Sequence, residues 1–364
     1  MPNPRSTTRA KRSSGAVTLQ RVAERAGVSI ATASRVLHGG PRTVGEELRR
    51  KVEGAAQELG YVSNAPAQAL ARSSTSVVGL LVHDIADPYF SAIAAGAMRG
   101  AKRHRLLVMI AATLGDPELE IEYVRNLRAQ RARALLIAGS GVVDDELTER
   151  FAAELDAFRA DGGRVACIGE RGIEPFVPLD HSGGADRAAT ELWRLGHRRI
   201  GVVAGPAGLV TVQQRLAGIR AAWSRLGGEL PDSRVVFTDF TRAGGRDATL
   251  GLFAAEPGVT AVLALNDIMA AGVLTALQDD LGRVVPDEVS VIGFDDVPFA
   301  VDLRPSLTTV RLPLEQAGER VVQLIADGAT PARQAPLGVA LVTRGSTGPV
   351  GGTGTGTGTG AGTD

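Results

Sequence analysis

The chain holds a single cysteine in 364 residues, so no disulfide can close within it, which fits a reducing compartment. Cys167 lies in the apolar run VACIG and reads as a small buried hydrophobe. Aromatic residues make up 4% of the chain, and no apolar run approaches the roughly 18 residues that a membrane span needs. The stretch MPNPRSTTRAKRSSG is basic but has no apolar core, so no secretion signal is expected and the cytoplasm is the expected location. Lysine is scarce, three against 37 arginines, a bias that reads as genome composition. No G-x-S-x-G elbow, metal-ligand cluster or G-x-G-x-x-G after the first strand of the large domain occurs, so neither an enzyme, a metal nor a cofactor is expected. The Gly/Thr-rich end contains no lysine and cannot be a P-loop. Lone histidines such as His83, His181 and His197 read as caps or satisfied surface groups.

Net charge is also absent, formally zero, but the zero is a cancellation. Residues 1–72 carry twelve Lys or Arg against five Asp or Glu, a net of +7, and the remainder carries 28 against 35, a net of −7. A basic head on an acidic body suits a protein that meets phosphate with one end. The basic end contains TLQRVAERAGVSIATASRVL at 18–37. Thr18 can cap a first helix. Leu19, Val22, Ala23 and Ala26 then share one face. Gly27 can end that helix in the left-handed conformation, and Ser29 can cap a second helix whose apolar face is Ala33, Val36 and Leu37. This is helix-turn-helix spacing, with the first residues of the second helix nearest DNA base edges. A third helix follows from Glu46 to Leu59, with Leu48, Val52, Ala55, Ala56 and Leu59 inward and Gly60 as its stop.

The runs VTLQRVAERAGVSIATASRVLHG and RRKVEGAAQELGYVSNAPAQALARSST resemble the headpiece and hinge of the lac repressor (LacI/GalR) family of bacterial transcription regulators. The resemblance implies a DNA-binding set of Thr18, Ser29, Ile30, Ala31, Thr32, Ser34 and Arg35, with Asn64 and Leu70 in the hinge. In the family a leucine at the Leu70 position wedges into the minor groove and kinks the duplex. Ile30 and Ala31 occupy operator-discriminating positions, yet neither can hydrogen-bond a base, so recognition shifts toward Arg35 and the hinge. Gly45 stands where the family often has a Ser or Thr cap, at a cost of a few tenths of a kcal/mol.

From residue 76 short Val/Ile/Leu-rich runs alternate with amphipathic stretches near 89–103, 118–130, 144–160, 183–195, 212–226, 244–254 and 267–278. Eight or so such strands predict parallel sheets covered on both faces. This half resembles the periplasmic-binding-protein-like core of the same family through DPYF, LGHRRIGVVAG, QQRLAG, LNDIMAAG, GFDDVPFA and RPSLTTV. The expected fold is therefore a small all-α helix-turn-helix headpiece plus an α/β core of two doubly wound parallel-sheet subdomains. Expected boundaries are a disordered basic arm at 1–16, the DNA-binding domain at 17–62, and a hinge helix and linker at 63–75. The effector-binding and dimerisation domain follows at 76–346. Its N-terminal subdomain covers about 76–178 plus a returning segment, and its C-terminal subdomain about 179–310. A flexible Gly/Thr tail occupies 347–364.

Ligands in such sheets bind at the carboxyl ends of strands. Carried over from the family, the effector-binding residues are Tyr89, Phe90, Glu170, Arg215, Phe240, Asn266 and Asp295. Glu170 rests on the run Ile168-Gly169-Glu170-Arg171, where the family usually reads Asp-Arg. This mixture suits a sugar, and a purine or nucleoside would also satisfy the aromatics. The resemblance implies a repressor released from a palindromic double-stranded DNA operator by a small-molecule effector. It also implies a homodimer, since the Gly/Thr tail cannot form a helical seam. The alternatives are a sugar-binding protein without a transcriptional role and a co-repressor-dependent, purine-type regulator. On this reading Arg215→Ala leaves DNA binding intact and removes the response to ligand.

Overall fold

The computed structural model describes residues 17–38, 44–61, 75–141, 144–328 and 335–351. The expected arm at 1–16, the hinge as far as residue 74 with Asn64 and Leu70, and the tail from 352 lie outside the described residues. The chain divides into two compact units, Met1–Thr75 and Ser76–Asp364.

In the first unit α1 (Leu19–Ala26), α2 (Ile30–His38) and α3 (Glu46–Leu59) enclose a small core of Val22, Ala23, Ala33, Val52, Ala55 and Ala56. The Thr18 hydroxyl accepts from the Arg21 amide, and Gly27 turns the chain at φ 68°. Gly45 precedes α3 without a side-chain cap, and Gly60 ends it at φ 61°. One expectation fails here: Leu48 is 41% exposed rather than inward.

The second unit contains two sheets. The first has strand order β2-β1-β3-β4-β5, from β1 (Val77–Val82), β2 (Leu107–Ala112), β3 (Ala134–Ala138), β4 (Arg164–Ile168) and β5 (Phe176–Val177). The second runs β11-β10-β9-β8-β6-β7, from β6 (Ile200–Ala204), β7 (Val235–Phe237), β8 (Ala261–Ala264), β9 (Ser290–Asp295), β10 (Thr308–Arg311) and β11 (Ala340–Val342). β11 is antiparallel to β10, and every other pairing is parallel. Each sheet is built by right-sized helical crossovers: α4 (Pro88–Arg103), α5 (Pro117–Ala129) and α6 (Asp145–Ala160) serve the first. The second has α7 (His181–Arg194), α8 (Val210–Arg225), α9 (Arg242–Ala255) and α10 (Asp267–Thr275), the last running on into a wider turn at Ala276–Asp280. Strands β1, β3, β6, β8 and β9 are almost wholly buried, which explains why they read as continuous apolar runs rather than alternating ones. Burial of each full Leu, Ile or Val side chain contributes about 1.5–3 kcal/mol relative to exposure.

The sequence reading missed β5, β10 and β11, which are two to four residues long, and the helix α11 (Leu314–Asp327). The chain passes from the first sheet to the second between β5 and α7, returns after β10 so that α11 packs on α4, and goes back to the second sheet at β11. The α4–α11 crossing is close because Gly96 and Gly318 each face the other helix's backbone. The chain also stays packed beyond residue 346, where a tail was expected to begin. His197 Nε2 lies 3.1 Å from the Gly348 carbonyl, and the Val350 amide donates to Leu195. Among the described residues no helix is long and apolar enough to cross a membrane.

A Cβ on Gly96 would collide with the Glu315 carbonyl oxygen, and one on Gly318 with that of Ile93. Gly96→Ala is therefore expected to lower stability by about 1–3 kcal/mol. The check is a lower urea midpoint at unchanged slope.

Candidate effector cleft and DNA-binding helices

In the first unit the Ser29 hydroxyl accepts from the Thr32 amide at 3.1 Å and so caps α2. The Ser29 and Thr32 hydroxyls also bond each other at 2.9 Å, which leaves them less free for bases than their types suggest. Ile30 is 51% exposed, and Ala31 beside it is exposed. Arg35 and Ser34 are half-buried one turn further on, and neither has a hydrogen-bond partner among the described residues. The exposed start of α2 therefore offers methyl groups, with the half-buried Arg35 guanidinium one turn behind them.

In the second unit a cleft of about 450 Å³ opens between the sheets. Its lining follows the carboxyl ends of strands: His83 and Asp84 after β1, Thr113 after β2, Ser140 after β3, Pro206 after β6, Phe240 after β7 and Ile268 after β8. Phe90 adds a ring 5.4 Å from that of His83. Two further carboxylates, Asp87 and Asp116, sit at the starts of α4 and α5, each followed by a proline in the first turn. One oxygen of each accepts from backbone amides, and so does one oxygen of Asp84. The second oxygen of all three has no hydrogen-bond or ion-pair partner among the described residues. Burial raises the Asp87 carboxyl above its ordinary value, with Asp84 nearby adding to the shift, and burial lowers the His83 imidazole. Among the described residues no Lys or Arg lines this cleft.

The expected effector residues divide into three places. Phe90 and Phe240 line the cleft, and the Phe240 ring occupies the space that a side chain on Gly205 would need. Tyr89 and Glu170 line a small recess beside it, together with His181 and Gln214. Arg215, Asn266 and Asp295 are buried, at 2%, 5% and 6% exposure. Arg215 donates through Nε to His181 Nδ1, through one terminal nitrogen to the Leu265 carbonyl, and through the other to Asp295 at 2.9 Å. Its guanidinium also lies 4.0 Å from the centre of the Phe294 ring. Burial holds the Asp295 carboxyl well above its ordinary value, against the pull of Arg215, and drives His181 well below its own. Asn266 caps α10 through its Oδ1, which accepts from the Met269 amide at 2.8 Å.

Two readings of histidine are corrected. His181 and His197 are 4% and 2% exposed rather than surface groups. His197 is satisfied inside by Thr260, Ser290 and Gly348. Cys167 is fully buried, and burial pushes its thiol up to about 12. Sequence reasoning missed His83, Asp84, Asp87, Asp116 and Ser140. The available signals were the polar residue directly after each apolar run and the two Asp-Pro helix starts. Among the described residues no group of three His, Cys, Asp or Glu could hold a metal ion.

The two halves of the second unit touch across the cleft. The Val210 amide donates to the Gly141 carbonyl, and the Thr211 amide donates to Ser140 Oγ at 2.9 Å. A helix-turn-helix module and a two-sheet unit with a cleft between its sheets, on one chain, define a ligand-responsive DNA-binding protein.

The comparisons agree with this class. Residues 18–64 match the model of bacterial regulatory proteins of the lacI family, and residues 189–347 match a periplasmic binding protein-like domain. The chain is 34% identical to the HTH-type transcriptional regulator GalS of Salmonella typhimurium, covering 86% of this chain and 90% of GalS. It is 33% identical to the regulator CelR of Thermobifida fusca, covering 90% and 96%. The lac repressor dimer bound to operator and the anti-inducer ONPF superposes with a TM-score of 0.80 at 28% identity, covering 92% of this chain and all of that one. A CelR–cellobiose complex superposes with a TM-score of 0.67 at 30% identity, covering 91% and 99%. The chain belongs to the LacI family, whose members are DNA-binding transcriptional regulators and not enzymes.

The buried pair changes what a mutation at Arg215 does. Arg215→Ala would strand Asp295 in the core, which costs about 3–5 kcal/mol. The variant is expected to unfold at clearly lower denaturant than the native protein, so it perturbs the whole second unit and not the ligand response alone. Chemical denaturation checks this.

Proposed function

We propose that the chain is a transcriptional repressor that binds a palindromic operator as a homodimer and leaves it when an uncharged saccharide enters the cleft. One observation carries this reading. The same chain pairs a helix-turn-helix, its α2 start exposed, with a cleft whose halves are bridged by two α8 amides, at Val210 and Thr211. A ligand that favours one spacing of the halves shifts the population toward it, by as much as its affinities for the two spacings differ. The hinge at 63–75 is the segment through which that shift reaches the headpiece. The CelR–cellobiose structure supports a sugar effector. The lac repressor dimer on its operator supports the DNA partner and the dimer.

The edge strand β2 supports dimerisation independently. Leu107, Met109 and Ile110 are 62%, 38% and 37% exposed, and Leu114 just beyond is 74% exposed. An apolar edge strand in water invites pairing with another chain, and a second copy supplies it. Work in the cytoplasm, on the nucleoid when DNA-bound, follows from this role. Tyr89, Glu170, Asn266, Arg215 and Asp295 complete the effector site around the cleft-lining rings.

Arg35→Ala is expected to weaken binding to a duplex selected by the native protein by roughly 5- to 150-fold, the worth of one good base contact, while the melting temperature stays unchanged. Unaltered retention of that duplex removes Arg35 from the recognition surface. In a thermal-shift panel, uncharged sugars are expected to raise the melting temperature. Glucose 6-phosphate and gluconate are not, because Asp84, Asp87 and Asp116 face the cleft and no Lys or Arg among the described residues lines it. Stabilisation by hypoxanthine or guanine instead of sugars would point to the purine-type, co-repressor reading.

A further inference from the structure

A second cavity of about 350 Å³ adjoins the effector cleft, with Pro117 and Glu120 in the walls of both. Its character differs from that of its neighbour. Leu147, Phe151 and Leu155 of α6, Ile173 after β4, and Val210 at the start of α8 give it apolar walls. Its cation is already committed. Arg171 holds Glu120 through two bonds of 2.9 and 3.1 Å, with side-chain exposures of 8% and 11%, and its guanidinium lies 5.2 Å from the centre of the Phe151 ring. Such a chamber offers rings and methyl groups to a ligand, with the Glu170 carboxylate at its edge as a hydrogen-bond acceptor. An open apolar cavity beside a polar one is the arrangement that recognises a molecule with unlike ends.

We propose that this cavity is a second subsite, and that the effector is a two-part uncharged glycoside. Its hydroxyl-rich ring lies among the free oxygens of Asp84, Asp87 and Asp116. Its second unit, a sugar ring presenting its C–H face or an apolar aglycone, passes Pro117 and Glu120 to lie against Phe151 and Leu147. This rests on the effector reading given above and narrows it. The second chamber is walled by α6 and α8, which come from the two different halves of the unit. Occupying it therefore bears on the same Val210 amide that bridges the halves, so the second unit of the ligand contributes to the response as well as to affinity.

The test uses the full chain and matched probes: glucose with cellobiose, galactose with lactose, and the phenyl glycosides of both monosaccharides. Melting temperature and calorimetric Kd are the readouts. The expected result is that at least one two-part probe binds tenfold or more tighter than its monosaccharide. Ala152→Trp, which places an indole into the cavity from an exposed position on α6, is expected to remove that advantage and leave the weaker monosaccharide affinity. The comparison within the native protein stands even if the variant folds poorly. Equal affinity for a monosaccharide and its two-part partner, or an advantage that survives Ala152→Trp, overturns the second subsite and leaves the saccharide effector in place. No response to any sugar in the panel overturns both.

Discussion

A guanidinium taken out of water must be met by acceptors on every side it presents, and Arg215 imposes that demand on the second unit. His181 at the start of α7, Leu265 at the end of β8 and Asp295 at the end of β9 all turn toward it. Meeting the demand fixes the ends of two central strands and the entrance of a helix. Asp295 and Asp296 both carry positive φ, 110° and 59°, which costs on the order of 1–3 kcal/mol at each non-glycine position. Their pairing with arginines offsets that strain. Asp296 accepts from Arg311 at the end of β10 and from Arg344 just past β11. Two adjacent carboxylates thus tie the buried Arg215 group to the segments through which the chain passes between its halves.

Asp267 reinforces the same corner. It is fully buried, takes the Val297 amide and the Thr309 hydroxyl, and burial raises its carboxyl to about 7. The loop that presents Asp295 and Asp296 is therefore held from α10 and from β10 at once.

The opposite wall is built on another principle. Asp87 and Asp116 each use one oxygen to satisfy orphan amides at a helix start, the ordinary task of a cap, and keep the other for the cleft. One half thus contributes carboxylates whose positions are set by backbone capping. The other contributes the Phe240 ring with Pro206, Leu209 and Ile268. Bringing the halves together joins acceptors of hydrogen bonds to an apolar face, a combination suited to a ring with hydroxyls on its rim.

The headpiece was legible in the sequence because its determinants act within a few residues. Thr18, Gly27, Ser29 and Gly60 are caps and turns, and Val22, Ala23, Val52 and Ala55 keep helical spacing. The strand–helix alternation was legible for the same reason, and α11 and the short edge strands were not, since their place depends on a chain that leaves one half and returns. Arg215 could be named as a site residue, but its partners lie 34, 50 and 80 residues away, and no local pattern states that they meet. Leu48 fits the apolar stripe and is still 41% exposed. By itself the sequence determined the headpiece helices, the main strand–helix alternation and the family, through caps, glycines and periodicity. The tertiary structure alone decided which charges are buried in pairs and which remain open to a ligand, because desolvation depends on what long-range packing brings alongside.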